Sequence, residues 1–332
     1  MVSGLLFILM AGTFSGTFAV PFKANKGWAW ENNWLTWSVV ALLAAPWIVG
    51  AVTIPHLFGA LSGEMGPLAL VALFGLVWGV GAVLFGKGID LLGISLGLPI
   101  MQGLINAVGT LMPIVIKDPA GLITLAGLKI IAGVVIIVVG IILYASAGAR
   151  KERELAAQAA TAGKPQRNFR KGLLVCILSG VFGPMINFAF VFGAPLQQRA
   201  IELGAEPVYA ANAIWCVVLT AGFIVNAMVC IRLLSKNTTW ANFRLRRPHG
   251  LAFASLAGVL WYLSIMFYGM GGNSLGEMGA SVGWATMQST AVVAGAIAGL
   301  TGGEWKGSSK RSHIVMFAGL ALIVVGIIVI AF

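Results

Sequence analysis

The chain has 332 residues, of which 59% are hydrophobic and only 9% are charged, and its mean hydropathy is +0.96. Soluble globular proteins carry about 25% charged residues, so this composition excludes a water-soluble protein and indicates a membrane protein. The formal net charge of +11 would suit a nucleic-acid partner, but the positions of the basic residues indicate membrane topology instead.

Ten apolar stretches follow one another along the chain. A transmembrane helix needs about 20 predominantly apolar residues, and each stretch provides roughly that length. We predict spans at residues 3–22, 35–54, 67–86, 91–115, 121–146, 172–192, 208–231, 250–270, 278–301 and 314–331. The sequence therefore predicts an all-α polytopic membrane protein with ten transmembrane helices and the lipid bilayer as its surroundings.

The second five stretches repeat the first five in order. The matches include Gly4 with Gly172, Gly12 with Gly180, Gly75 with Gly258, Trp78 with Trp261, Gly88 with Gly271, Met101 with Met287 and Gln102 with Gln288. Helices rich in small residues can resemble one another by chance, but these matches include Trp and Gln. We therefore predict a first five-helix repeat at 1–148, a cytoplasmic linker at 149–171 and a second five-helix repeat at 172–332.

Five spans in each copy would leave the second copy upside down relative to the first. Many secondary transporters are built from such inverted repeats, with the substrate site near the bilayer midplane. All but three of the 21 Lys and Arg lie in the loops after the odd-numbered spans; the exceptions are Lys117, Lys129 and Arg199. The positive-inside rule assigns those loops to the cytoplasm, and both termini to the outside.

Uncharged polar side chains within the spans are the first candidates for substrate contact. A polar group in a span is costly and usually faces the bundle interior. The candidates are Gln102 and Asn106 in the fourth span, Asn187 in the sixth and Gln288 in the ninth. Amides offer donors and acceptors without charge, which suits a neutral polyhydroxylated ligand, although each could also serve as a helix–helix contact.

Three aromatic residues near the middle of the third and eighth spans are the second group of candidates. They are Trp78, Trp261 and Tyr262. An indole offers a flat apolar face to sugar C–H groups and one N–H donor. Packing between helices is the alternative role for these rings.

Acidic side chains lie only near the ends of the predicted spans. Glu31 precedes the second span and Glu277 the ninth, and we consider both as proton-coupling candidates. His56, His249 and His313 are far apart in sequence, at span ends or in loops, and the three cysteines have no metal-ligand spacing. We therefore predict no catalytic site, metal or cofactor.

The string PFKANKGWAWENNW, from Pro21 to Trp34, resembles the L-rhamnose–proton symporter family of the drug/metabolite transporter superfamily. Weaker similarities, such as LWYLSIMFYGMG from Leu260 to Gly271, extend over nearly the whole chain. The resemblance implies ten spans in a drug/metabolite transporter-like fold, location in the bacterial inner membrane, and import of a deoxy sugar driven by protons. In that membrane, the charge pattern described above makes both termini periplasmic.

We therefore predict a secondary active transporter that imports a neutral deoxy sugar, L-rhamnose before others, by proton symport with alternating access. A drug/metabolite-type exporter of another small metabolite, such as an amino acid, is the alternative. A carboxylate-bearing substrate would favour a buried cation, and Lys129 is the basic residue within a predicted span.

Overall fold

The computed structural model describes the chain except residues 1, 26, 64, 93, 159–168, 244–247, 277–278, 304 and 332. Within the described part the regular structure is helical, without a strand. In chain order the α-helices are α1 Val2–Thr17, α2 Val20–Ala24, α3 Trp30–Ser38, α4 Ala45–Thr53, α5 Leu57–Leu61, α6 Met65–Leu92, α7 Ile94–Lys117, α8 Leu125–Gln158, α9 Phe169–Phe182, α10 Met185–Phe192, α11 Ala194–Glu202, α12 Asn212–Lys236, α13 Pro248–Leu275, α14 Trp284–Thr301 and α15 Lys310–Ala331.

Among the described residues, eight segments are long and apolar enough to cross a membrane. They are Val2–Ala24, Trp30–Thr53, Met65–Gly88, Leu125–Lys151, Arg170–Glu202, Pro207–Lys236, His249–Leu275 and Lys310–Ile330, and they coincide with eight of the ten predicted spans. The prediction of a polytopic all-α membrane protein is thus confirmed. The fourth and ninth predicted spans correspond to α7 and α14, which are not among these eight segments.

Large apolar side chains are exposed along these segments, as expected where a helix faces lipid. Val52 is 80% exposed and Ile48 is 64% exposed, although both lie in an apolar helix. In water such side chains would be costly, whereas in the bilayer they contact acyl chains. The exposed surface therefore agrees with the composition.

The helices pack in a small number of extensive pairs. Helix α1 packs against α13 and α14, and α9 packs against α6 and α7. Helix α6 also packs against α12, and α8 forms the most extensive pair with α15. Glycines allow several of these close approaches, because a Cβ added at Gly75 would overlap the backbone of Val218 on α12.

Two segments of the described chain have π-helical geometry, Val39–Ala44 and Gly279–Gly283. The first joins α3 to α4, and Pro46 follows it. Proline has no backbone N–H, and its ring clashes with the carbonyl four residues earlier. A wider turn before Pro46 relieves that clash, so the second span is a continuous but locally underwound helix.

The main buried cluster joins side chains from α1, α3, α6, α7, α10, α12, α13 and α14. A second cluster lies between α8 and α15, with contributions from α14. The predicted linker at 149–171 begins within α8, which continues to Gln158. There the Glu154 carboxylate accepts hydrogen bonds from Ser309 and Ser312 at the start of α15.

Candidate substrate site

Five tryptophans form a continuous series of ring contacts from the membrane-surface end of α3 into the main buried cluster. In order of contact they are Trp30, Trp34, Trp37, Trp261 and Trp78, and we call them the tryptophan ladder. The ring centroids are 5.1, 4.6, 5.2 and 5.4 Å apart along this series. Trp30 is 40% exposed, whereas Trp78 is 7% exposed, so the ladder leads from the surface to the interior.

The inner end of the ladder joins two predicted site residues directly. Trp78 on α6 and Trp261 on α13 stack with an interplanar angle of 29°. Trp37 on α3 meets Trp261 edge to face, at 73°. Three helices that are distant in sequence therefore bring one aromatic surface together inside the membrane.

Tyr262, the third predicted aromatic residue, is 2% exposed, and its hydroxyl has no hydrogen-bond partner among the described residues. It belongs to the same buried cluster as Trp37 and Trp78. Buried hydroxyls are normally paired with protein or water. The Tyr262 hydroxyl therefore keeps an unused donor and acceptor within this cluster.

Two of the predicted amides are engaged with neighbouring helices. The Asn187 amide donates to the carbonyls of Gly109 (2.8 Å) and Ala280 (2.9 Å), and its oxygen accepts from the Tyr268 hydroxyl. Asn106 donates to the Ser289 hydroxyl at 3.0 Å. These bonds tie α7, α10, α13 and α14 together, and the Tyr268 ring contacts those of Trp215 and Trp284.

The two predicted glutamines have no hydrogen-bond partner in the described part of the chain. Gln288 on α14 is 7% exposed, and Gln102 on α7 is half-buried. The hydrogen bond between Asn106 and Ser289 joins their two helices. Asn106 lies one turn after Gln102 on α7, and Ser289 directly follows Gln288 on α14. Their amides therefore retain full hydrogen-bonding capacity, which those of Asn106 and Asn187 do not.

Glu31 directly follows Trp30 at the start of α3, and therefore lies at the exposed end of the ladder. It is 4% exposed, and its carboxylate accepts hydrogen bonds from Thr239 (2.7 Å) and Asn237 (3.0 Å) in the segment between α12 and α13. The neighbouring Asn32 bonds the same segment through the Thr239 carbonyl. Glu277, the other proton-coupling candidate, lies outside the described residues.

Sequence reasoning did not identify Trp37 or Tyr268 as members of this region. The spacing of Trp34 and Trp37 by three residues places them on one helix face, and this signal could have found Trp37. Tyr268 carries no such signal, because its partner Asn187 is far away in sequence.

A cleft of about 360 Å³ lies away from the ladder, between the loop before α6 and helix α11. Arg199 and Glu202 line it and form a surface ion pair at 3.7 Å. None of the predicted site residues lines this cleft. Lys129 is likewise remote from the ladder, since it is exposed on α8, which packs against α15 and α7.

Known proteins resemble this chain over nearly its whole length. The family described as L-rhamnose-proton symport protein matches residues 1–332. A protein of Cronobacter sakazakii (strain ATCC BAA-894) named L-rhamnose-proton symporter is 31% identical over 97% of this chain and 94% of its own length. A protein of the same name from Escherichia coli (strain SMS-3-5 / SECEC) is 30% identical over 97% of this chain and 95% of its own.

Among solved structures, a crystal structure of a protein shares the fold, with a TM-score of 0.59 at 14% identity over 99% of this chain and 96% of the other. That likeness concerns the fold alone. The family consists of transporters and not of enzymes. The matched family model covers the whole length, and with it the buried aromatic and amide groups described above; the chain belongs to the L-rhamnose-proton symporter family.

Proposed function

We propose that this protein imports L-rhamnose together with protons by alternating access between the two sides of the bacterial inner membrane. Both relatives carry the name L-rhamnose-proton symporter. The observation that carries the proposal is the stack of Trp78 on Trp261, two tryptophans from matching positions of the sequence repeat. Two residues related by a two-fold axis can touch only when both lie next to that axis. A transporter built from inverted repeats binds its substrate there, at the interface of the repeats.

Mirrored packing contacts support the inverted 5 + 5 repeat. A Cβ added at Gly12 would meet Thr290, and one added at Gly180 would meet Leu104. Gly12 matches Gly180 in the repeat, and Leu104 matches Thr290 by the register that aligns Gln102 with Gln288. The two contacts are therefore one contact made twice, once in each half.

A second mirrored pair involves α6 and α13. A Cβ at Gly88 would meet Cys176, and one at Gly271 would meet Ile8. Gly88 matches Gly271, and Ile8 matches Cys176 by the register that aligns Gly4 with Gly172. The agreement of independent contacts favours a ten-span, drug/metabolite transporter-like fold with α7 and α14 as the fourth and ninth spans.

The packing of α8 against α15 indicates how the two repeats are oriented relative to each other. Gly133 lies against Gly326, and Gly140 lies against Gly319. A Cβ added at either glycine of a pair would lie within 3 Å of the carbonyl oxygen of the other. Rising numbers on α8 pair with falling numbers on α15, so the helices are antiparallel. They are the fifth and tenth predicted spans, which an inverted repeat requires to run in opposite directions.

The roles follow from the chemistry of each group. Trp78 and Trp261 present indole faces to the C–H surface of the sugar ring, and the Tyr262 hydroxyl and the amides of Gln102 and Gln288 exchange hydrogen bonds with its hydroxyls. Asn106 and Asn187 hold the surrounding helices in place, and they contact the sugar directly in states where their present bonds open.

Of the two proton-coupling candidates, Glu31 is the one whose contacts the structure describes, and we propose it as the proton-coupling residue. It is a buried carboxylate whose hydrogen-bond donors are neutral, namely Asn237 and Thr239. Protonation of this carboxylate would remove its charge, and it would weaken the contacts between α3 and the segment after α12. Loading of a proton would thereby loosen the cytoplasmic end of the bundle.

An exporter of amino acids or other carboxylates is the second candidate function. It would need a cation beside the substrate, and Lys129 is exposed on α8 rather than near the ladder. Apart from the Glu31 carboxylate, the polar groups that we assign to the site are neutral amides and hydroxyls. They match a neutral sugar better than a carboxylate.

Counterflow in proteoliposomes tests the substrate. Vesicles loaded with unlabelled L-rhamnose should accumulate labelled L-rhamnose transiently. In the double variant Gln102→Ala and Gln288→Ala, exchange should no longer saturate at the L-rhamnose concentrations that saturate the wild type. Exchange of another solute but not of L-rhamnose would refute the substrate, and an unaltered affinity in the double variant would remove the glutamines from the site.

A further inference from the structure

We infer that Trp37 is a further substrate-binding residue, whose indole N–H donates a hydrogen bond to a ring hydroxyl of the sugar. The inference rests on the proposed function and adds a donor on α3 to the groups on α6, α7, α13 and α14. None of the matched positions of the repeat points to this residue.

The first observation is an unpaired donor. Trp37 is 2% exposed, and its Nε1 has no hydrogen-bond partner in the described part of the chain. Buried N–H groups are almost always paired, because leaving water without a new partner is costly. The next residue repeats the pattern, since the Ser38 hydroxyl is fully buried and unpaired.

The second observation is the position of Trp37 in the ladder. Its ring lies 4.6 Å from that of Trp34 and 5.2 Å from that of Trp261, and Trp261 in turn stacks on Trp78. Trp37 is therefore the residue that joins the outer tryptophans, Trp30 and Trp34, to the stacked pair of Trp261 and Trp78. A sugar held against Trp261 lies beside Trp37.

The third observation is the backbone geometry. The π-helical segment Val39–Ala44 begins two residues after Trp37. Single π-helical turns within α-helices occur frequently at functional sites, where they shift side chains out of the regular register. The turn that Pro46 imposes thus fixes the direction in which the end of α3 presents Trp37 and Ser38.

Two other buried indoles in the described residues lack a partner, and they differ from Trp37 in one respect. The Nε1 atoms of Trp28 and Trp215 face glycines of α13, since a Cβ added at Gly250 or Gly269 would lie 2.8 or 2.7 Å from them. Helix α13 therefore closes off both N–H groups. At Trp37 a Cβ added at the close glycine, Gly258, would lie 3.1 Å from the backbone carbonyl instead, so this glycine does not cover the indole N–H.

The test compares Trp37→Phe with Trp215→Phe, a matched control that also loses a buried, unpaired indole N–H. Purified variants in detergent are titrated with L-rhamnose by calorimetry, and thermal unfolding is followed in parallel. Trp37→Phe should raise Kd about 3- to 10-fold, as expected for one neutral hydrogen bond. Trp215→Phe should change Kd less than about 2-fold.

Monodeoxy analogues of L-rhamnose make the test specific. For one analogue, the Kd with the wild type should be about 3- to 10-fold higher than that of L-rhamnose. With Trp37→Phe, the same analogue and L-rhamnose should have equal Kd values, because loss of the sugar hydroxyl and loss of the indole N–H remove the same hydrogen bond. Benzothienylalanine at position 37 keeps the shape of Trp without the N–H, and it replaces Trp37→Phe if that variant unfolds.

Equal Kd values for the wild type and the position-37 variants would overturn the assignment of Trp37 while leaving the proposed function intact. Equal losses in Trp37→Phe and Trp215→Phe would overturn it too, since they would reflect packing. Failure of the wild type to bind L-rhamnose would instead refute the proposed function, and the assignment with it.

Discussion

Replacement of Asn187 by leucine should destabilise the bundle by about 2 kcal/mol. The asparagine is fully buried and makes three hydrogen bonds, to Gly109, Ala280 and Tyr268. Hydrogen bonds between membrane helices contribute about 0.6 kcal/mol each on average, and three of them give about 2 kcal/mol. Leucine has a similar volume, so the loss reports the polar contacts rather than a cavity.

The assay is equilibrium unfolding in mixed micelles with increasing fractions of a denaturing detergent, followed by helical circular dichroism. Two variants that each remove a single bond provide the scale: Tyr268→Phe, and Asn212→Leu, whose amide donates to Thr53 at 2.9 Å. Each should cost about 0.6 kcal/mol. A loss below about 0.5 kcal/mol for Asn187→Leu would refute its role as the tie between helices.

Three further predictions concern coupling, packing and pH. Glu31→Gln should keep counterflow of L-rhamnose but lose accumulation driven by a pH gradient, because an amide does not titrate; retained accumulation would exclude Glu31. Gly75→Ala should cost about 2 kcal/mol or more in the same unfolding assay, since its Cβ overlaps a backbone carbonyl, whereas Gly103→Ala, with open space around it, should not. Hydrogen bonds from Ser309 lower the pKa of the Glu154 carboxyl below 4.5, so its stabilising contribution is present above pH 4.5 and is lost as pH falls through the lowered pKa. Thermal stability should therefore fall on acidification, and Glu154→Gln should remove that component; an identical pH profile in the variant would contradict it.

The contact between Trp78 and Trp261 is one that the proposed two-fold repeat would predict from sequence. Trp78 and Trp261 occupy matching positions, and matching positions on the axis of a two-fold arrangement meet. Hydropathy likewise predicted eight segments that the structure describes as long, apolar helices. Both predictions rest on properties that one residue or one stretch expresses by itself.

Hydrogen-bond partners were not predictable, since they depend on how helices approach one another. Nothing in the sequence distinguishes Asn187, which is saturated by Gly109, Ala280 and Tyr268, from Gln288, which has no partner in the described part of the chain. The prominence of Trp37 also depends on tertiary structure. It requires the meeting of α3 with α13 and the π-helical turn before Pro46.

Accumulation of L-rhamnose in proteoliposomes under an imposed pH gradient tests the central claim most directly. With the acidic side outside, labelled sugar should rise above its external concentration inside the vesicles, and a protonophore should abolish the rise. Equilibration at the external concentration, unaffected by the direction of the gradient, would contradict a protein that moves sugar and protons together.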